Sequence, residues 1–237
     1  MYMIYLNFLL ILFLFLIIFV NFLYFLFMRE NNVVIEEFYS NSNNNNNKET
    51  IVLLGDSILK NNSYVEKGQE IDSLLTKKSD SNVFSFSEDG STIADVYNQL
   101  EKIPLELNKK TTTIYLSIGG NDILSQYVDK ITDLTNMTSL TIIFSKYITL
   151  IESVKTRFHL CKIVLLDIYY PKSNIYRVYY LLIKKWNEMI YEYTNNTKNS
   201  ILLLKISNIL TQDNDFVFNI EPSTTGGEKI VNSILSL

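Results

Sequence analysis

From residue 50 onward, short uninterrupted apolar runs alternate with longer stretches of mixed character. Runs at 51–54 (Ile-Val-Leu-Leu), 83–86, 113–118, 162–167 and 201–206 have strand length. They lack the polar alternation of a half-exposed strand, so they predict strands covered on both faces. Between and after them, helix-length segments fall at about 66–78, 92–101, 138–158, 174–195 and 224–236. That alternation predicts a parallel sheet with right-handed crossover helices on both faces, a three-layer α/β/α domain over residues 50–237.

The amino-terminal pattern is different. Residues 1–28 contain no charged side chain and are nearly all Leu, Ile, Phe and Tyr. About 20 apolar residues suffice to cross a hydrocarbon core as a helix, so residues 1–30 are expected to form a single transmembrane anchor. A cleaved signal peptide would need a basic start, an apolar run of about 7–15 residues and a small-residue cleavage site. No Lys or Arg precedes the run, and Arg29-Glu30-Asn31 offers no small pair. Arg29 is followed at once by Glu30, so the charge bias does not decide which side of the membrane the domain occupies. Residues 31–49, with Asn43 to Asn47 uninterrupted, are too polar to bury surface that offsets their ordering entropy, and they read as a flexible linker.

Charge and composition narrow the function. The net charge is -4, with Lys and Arg interspersed among Asp and Glu, so the concentrated positive footprint of a nucleic-acid binder is missing. One cysteine, Cys161, excludes an intramolecular disulfide and a cysteine metal cluster, and one histidine, His159, excludes a multi-histidine metal site. No metal or organic cofactor is implied.

In a parallel α/β sheet, ligands bind beyond the carboxyl ends of the strands. Gly55-Asp56-Ser57 follows the first run, Ser87-Glu88-Asp89-Gly90-Ser91 the second, and Gly119-Gly120-Asn121-Asp122 the third. A serine at a strand-to-helix turn presents its hydroxyl above the sheet while the helix start offers free N–H groups. The oxyanion of acyl transfer needs preorganised donors about 2.7–3.1 Å away. The N–H groups of Ser57 and Gly90 and the Asn121 amide are candidates to supply them. Asp56 is expected to support the turn and Asp122 to cap or brace its loop. The run Ile168-Tyr169-Tyr170-Pro171, with Tyr176, Tyr179 and Tyr180 beyond it, either walls a substrate pocket or packs a helix on the sheet.

Leu53-Leu54-Gly55-Asp56-Ser57, Gly90 and Gly119-Gly120-Asn121-Asp122 resemble the first three conserved blocks of the SGNH (GDSL-like) hydrolases. The similarity runs over roughly residues 50–237. It implies a flavodoxin-like five-stranded parallel sheet and ester hydrolysis by Ser57, with Gly90 and Asn121 in the oxyanion hole and no cofactor. The family's last block, an Asp and a His three apart, falls on Phe218 and Glu221. His159 precedes the fourth strand and belongs to the opposite rim. Glu221 then has two readings: a carboxylate base for Ser57, or an acid at the start of the last helix beside Pro222. Asp213 and Asp215 lie close enough in sequence to adjust or replace it. The resulting expectation is a membrane-anchored serine hydrolase for an acyl lipid or O-acetylated glycan. Its alternatives are a binding protein for an acyl or glycan ligand on a degraded catalytic site, and a tethered structural platform.

Overall fold

The computed structural model describes residues 48–127, 137–196 and 201–237. Five strands, β1 (Thr50–Gly55), β2 (Asn82–Ser85), β3 (Thr112–Ser117), β4 (Lys162–Leu166) and β5 (Ile201–Leu204), form one sheet of order β2-β1-β3-β4-β5. Every pairing is parallel. All six residues of β1 are buried, as an apolar run without alternation requires at the middle of a doubly covered sheet.

The helices are α1 (Ile71–Lys78), α2 (Ile93–Lys102), α3 (Gly120–Tyr127), α4 (Met137–Arg157), α5 (Tyr180–Asn196) and α6 (Thr224–Leu235). α1 packs with α6, and α4 packs with both α2 and α5. Ile51 and Leu53 of β1 and Val164 and Leu166 of β4 point into one apolar layer with Ile71 and Leu75 of α1 and Ile230, Val231 and Ile234 of α6. Period-2 alternation turns Val52 and Leu54 to the other layer, so both faces of one strand are spent on core. This is the three-layer α/β/α architecture expected, with the five-stranded parallel sheet.

The strand order reverses direction at β1 and β3, whose carboxyl ends pair as Gly55 with Ser117. That switch point is where a crevice opens above a doubly wound sheet.

Four local features differ from the sequence expectations. The helix expected over 66–78 begins only at Ile71, because Gly68 takes a left-handed turn at φ 86° and the Asn61 Oδ1 accepts the Ile71 N–H at 2.9 Å. The segment expected as one helix over 174–195 starts as a 3-10 helix, Asn174–Tyr179, before α5. α3, directly after the Gly119-Gly120 turn, was not expected. Nor was the two-residue antiparallel pair of β6 (Phe216–Val217) and β7 (Glu221–Pro222). The expected membrane anchor lies outside the described residues; among these, no helix is long and apolar enough to cross a membrane.

Candidate active site

The end of β1 is locked to β3 and α2. Gly55 has φ 131°, and a Cβ there would lie 1.8 Å from the Ser117 carbonyl oxygen, so only glycine lets the two strand ends close. Gln99, 1% exposed on α2, clasps the same residue: its Oε1 accepts the Gly55 N–H at 2.9 Å. Its Nε2 donates to the Gly55 carbonyl at 2.8 Å and to the Ser91 Oγ at 2.9 Å. Asp56 Oδ1 accepts the Ile58 N–H and the Ser117 hydroxyl, both at 3.2 Å. Burial dominates over these bonds and pushes the Asp56 carboxyl up to about 7.

Ser57 follows in a tight turn in which the N–H groups of Leu59 and Lys60 donate to the Asp56 carbonyl at 3.1 and 3.0 Å. The strand-to-helix turn expected at Ser57 is therefore a closed turn, and the next helix begins only at Ile71. Ser57 is 8% exposed and lines the cleft.

The β3 end supplies the second wall. Gly119 has φ 111° and its Cα sits against Trp186, whose ring would lie 2.3 Å from an added Cβ. This contact delivers Gly120 and Asn121 to the cleft. The Asn121 Nδ2 donates to the Ser91 carbonyl at 2.9 Å, which fixes the amide and leaves its other N–H free. Asp122 Oδ2 accepts the Ile93 N–H at 3.0 Å and so braces the start of α2. Gly90 lies in the exposed turn between β2 and α2 at φ 73° and is not among the residues lining the cleft.

Glu221 arrives on β7, two residues before Ser223, whose side chain caps α6 by accepting the Gly226 N–H at 3.2 Å. The arm that carries it bends through Phe218 at φ 48° and Asn219 at φ 71°, both left-handed. At its base, fully buried Asp215 accepts the Thr211 and Gln212 N–H groups at 2.9 Å each and meets the Lys229 ammonium at 2.6 Å. Asp215 thus holds the arm, and neither it nor exposed Asp213 lines the cleft. Burial raises the Glu221 carboxyl above the ordinary glutamate range; the nearby Ser57 hydroxyl opposes that shift, and the Asp89 charge adds to it. The Glu221 Oε2 is buried without a partner.

Ser57, Asn121 and Glu221 therefore share one cleft of about 210 Å³, walled by Ile58, Ile123, Ile168, Tyr169 and Pro171 with Tyr176 and Tyr179. The Tyr169 hydroxyl donates to the Ile220 carbonyl at 2.6 Å, tying this wall to the Glu221 arm. Tyr170 and Tyr180 pair with each other, centroids 5.3 Å apart, and take no part in the lining. His159 is exposed in the turn before β4, at the amino edge of the sheet, with Nδ1 3.2 Å from the Asn108 amide. Among the described residues, no cluster of His, Cys, Asp or Glu is arranged to hold a metal ion.

Two supporting residues escaped the sequence reading. Gln99 has one visible signal, a polar residue inside the stripe Ile93, Val96, Leu100. Lys229 has none, since a lysine in an amphipathic helix looks like surface.

A sheet of this order, with a serine, an asparagine and a glycine-bounded turn at its carboxyl edge, defines an SGNH-type hydrolase fold. The chain belongs to the GDSL-like Lipase/Acylhydrolase family, which matches residues 51–229. A lipolytic protein of the G-D-S-L family from Veillonella parvula superposes with a TM-score of 0.62 at 18% identity, covering 80% of this chain and 97% of that one. A family 3 carbohydrate esterase from Clostridium thermocellum gives 0.56 at 21% identity, covering 80% and 94%. An extracellular lipase from Streptomyces rimosus gives 0.57 at 12% identity, covering 79% and 99%. At these identities the structures speak for the fold. No curated protein sequence matches the chain.

Proposed function

We propose that this chain is a membrane-anchored serine hydrolase that cleaves a carboxylic ester of the acyl-lipid or O-acetylated-glycan class. The observation that carries the proposal is the half-buried Glu221 carboxylate, with one oxygen unpartnered, lining the same apolar cleft as Ser57. A glutamate at its ordinary pKa of about 4.3 is a weak base towards a serine, and desolvation strengthens it. Ser57 Oγ bonds to the ester carbonyl carbon while its proton passes to Glu221. The oxyanion is received by the free Asn121 N–H and the backbone N–H groups of Ser57 and Gly90, the last after movement of its exposed turn. Collapse of the tetrahedral adduct breaks the bond to the alcohol, which leaves with the proton from Glu221. Water, deprotonated by Glu221, then releases the acid and restores Ser57. Residues 1–30 serve as the anchor and 31–49 as the linker to the hydrolase domain at 50–237. The membrane and an ester-bearing small molecule, lipid or glycan are the partners.

The names of the solved neighbours, a lipase and a carbohydrate esterase among them, support an ester as substrate. A second reading has its own observation: the only histidine stands at the far edge of the sheet, so no imidazole serves Ser57. On that reading the cleft holds an acyl or glycan ligand without turnover. The full chain in detergent, assayed with chromogenic acyl esters beside Ser57→Ala and Glu221→Gln, separates the two. Hydrolysis reduced about 100-fold or more in both variants is the expected result. Wild-type rates equal to those of Ser57→Ala would sink the hydrolase in favour of the binding protein.

A further inference from the structure

The wall of the cleft has an outer side. The 3-10 segment Asn174–Tyr179 turns every three residues, so side chains at i and i+3 stack. Tyr176 and Tyr179 share one side and line the cleft, with ring centroids 6.5 Å apart. Ile175 and Val178 share another, and Leu181 continues their spacing into α5. These three are 63%, 41% and 54% exposed, a row of large apolar side chains held in water.

The charge around that row is one-sided. Residues 171–185 contain Lys172, Arg177, Lys184 and Lys185 and no Asp or Glu, in a chain whose net charge is -4. Lys184 and Lys185 share a single acid, Glu188, at 3.9 and 3.4 Å across exposed surface, so much of the positive field remains unspent. Lys172 and Arg177 are exposed and form no ion pair among the described residues.

An exposed apolar row flanked by cations, on a segment that carries no carboxylate of its own, is the surface that inserts into an interface of anionic headgroups. A second copy of the chain is a poorer occupant, because a two-fold contact would set like charges face to face. We propose that residues 172–185 form a docking surface for an anionic lipid bilayer, placing the mouth of the Ser57 cleft against the membrane. The proposal deepens the membrane-anchored reading above and rests on it for the nearness of a bilayer. Docking at this row sets the cleft's tyrosine wall one residue away from the lipid, so that an acyl ester of a lipid would reach Ser57 without crossing bulk water.

The test uses the full chain with Cys161→Ser, which frees the sequence of its one native thiol, reconstituted into vesicles. An environment-sensitive fluorophore is placed at Ile175→Cys and, as reference, at His159→Cys on the opposite edge of the sheet. In phosphatidylcholine mixed with phosphatidylglycerol, the label at position 175 should shift to the blue and be quenched several-fold more by brominated lipid than in phosphatidylcholine alone. Added salt and the combined Lys172→Gln, Arg177→Gln variant should each reverse the shift. The label at position 159 should report water throughout. A position-175 label that reports water in both membranes overturns the proposal. So does burial that is equal in the two, or that appears in detergent without lipid, the latter pointing to contact between copies. Flotation of the chain with either vesicle reports the anchor, and ester hydrolysis reports the site. Failure of docking is thus distinguishable from failure of the reading on which it rests.

Discussion

On the β1 side of Ser57, the N–H and carbonyl of Gly55 are both taken by Gln99, and Asp56 is tied to Ile58 and Ser117. On the β7 side, Glu221 hangs on a pair of two-residue strands, beyond two left-handed residues, with one carboxylate oxygen buried and unpartnered. The first wall is long-range and satisfied; the second is local, bent and incomplete. A nucleophile must be held in one place, whereas a base that takes and returns a proton needs a destabilised carboxylate. For Glu221 in the proposed role, burial is the source of that destabilisation, and the unpartnered oxygen adds to it. Substitutions on the two walls should therefore separate stability from turnover.

The largest effect is expected at Gly55→Ala. Its methyl would lie 1.8 Å from a backbone oxygen at a φ of 131°, and neither β1 nor β3 can retreat within a buried sheet. A loss of about 4 kcal/mol or more is expected, measured as a fall in the denaturant midpoint or in soluble yield. An unchanged midpoint would mean that the strand ends are not locked as described.

Gln99→Leu fills similar volume while removing the clasp. The Gly55 N–H and the Ser91 hydroxyl lose partners in a buried site, while the Gly55 carbonyl keeps the Glu88 N–H at 3.0 Å, so about 3 kcal/mol of stability should go. Turnover should fall with it, since both the Ser57 turn and the Asn121 acceptor, Ser91, are displaced. A loss of rate with no loss of stability would move Gln99 from scaffold to chemistry.

These two residues also mark what the sequence could and could not disclose. Unbroken apolar runs such as 51–54 announce buried strands because each residue carries its own signal. Ser57 and Asn121 were visible because strand ends in such a sheet meet at one edge, and Glu221 only because it stands where the resembled family keeps its last block. Gln99 reaches across 44 residues to Gly55, and no local pattern encodes a partner at that distance. The β6–β7 pair was hidden for a related reason. Its strands are two residues each, too short for periodicity, and they exist because Asp215 and Lys229 fasten the base of the arm. Gly90 was legible only as a glycine at the carboxyl end of β2; that it sits in an exposed turn with positive φ, outside the cleft lining, was not.

Asp56 sharpens the comparison through pH. Its carboxyl is raised from 3.8 to about 7 by burial, so between those values the folded chain holds a proton that the unfolded chain has lost. Stability should therefore rise as pH falls through this window and decline as it climbs to 7, opposite to the usual buried, salt-bridged aspartate. Asp56→Asn retains an acceptor for Ile58 and Ser117 without the charge. It should flatten the profile and be more stable than the wild type at pH 8 by about 2 kcal/mol. Thermal midpoints of both proteins from pH 4 to 8 measure this, and parallel curves would refute it.

The smallest effect is expected at Phe218→Asn. Phenylalanine at φ 48° carries a left-handed cost of about 1 kcal/mol that asparagine largely escapes, since its short polar side chain tolerates that region. Against this stands the edge contact of Phe218 with Tyr64, centroids 6.1 Å apart on a side chain that is 67% exposed. Exposure keeps that contact weak, so the balance should be a gain of about 0.5 kcal/mol or less. The bend that delivers Glu221 is preserved, and Ser57 should still react with an organophosphonate at the wild-type rate. If stability rises while labelling slows, the strained phenylalanine positions the base, and the bend of the arm is part of the site rather than merely its support.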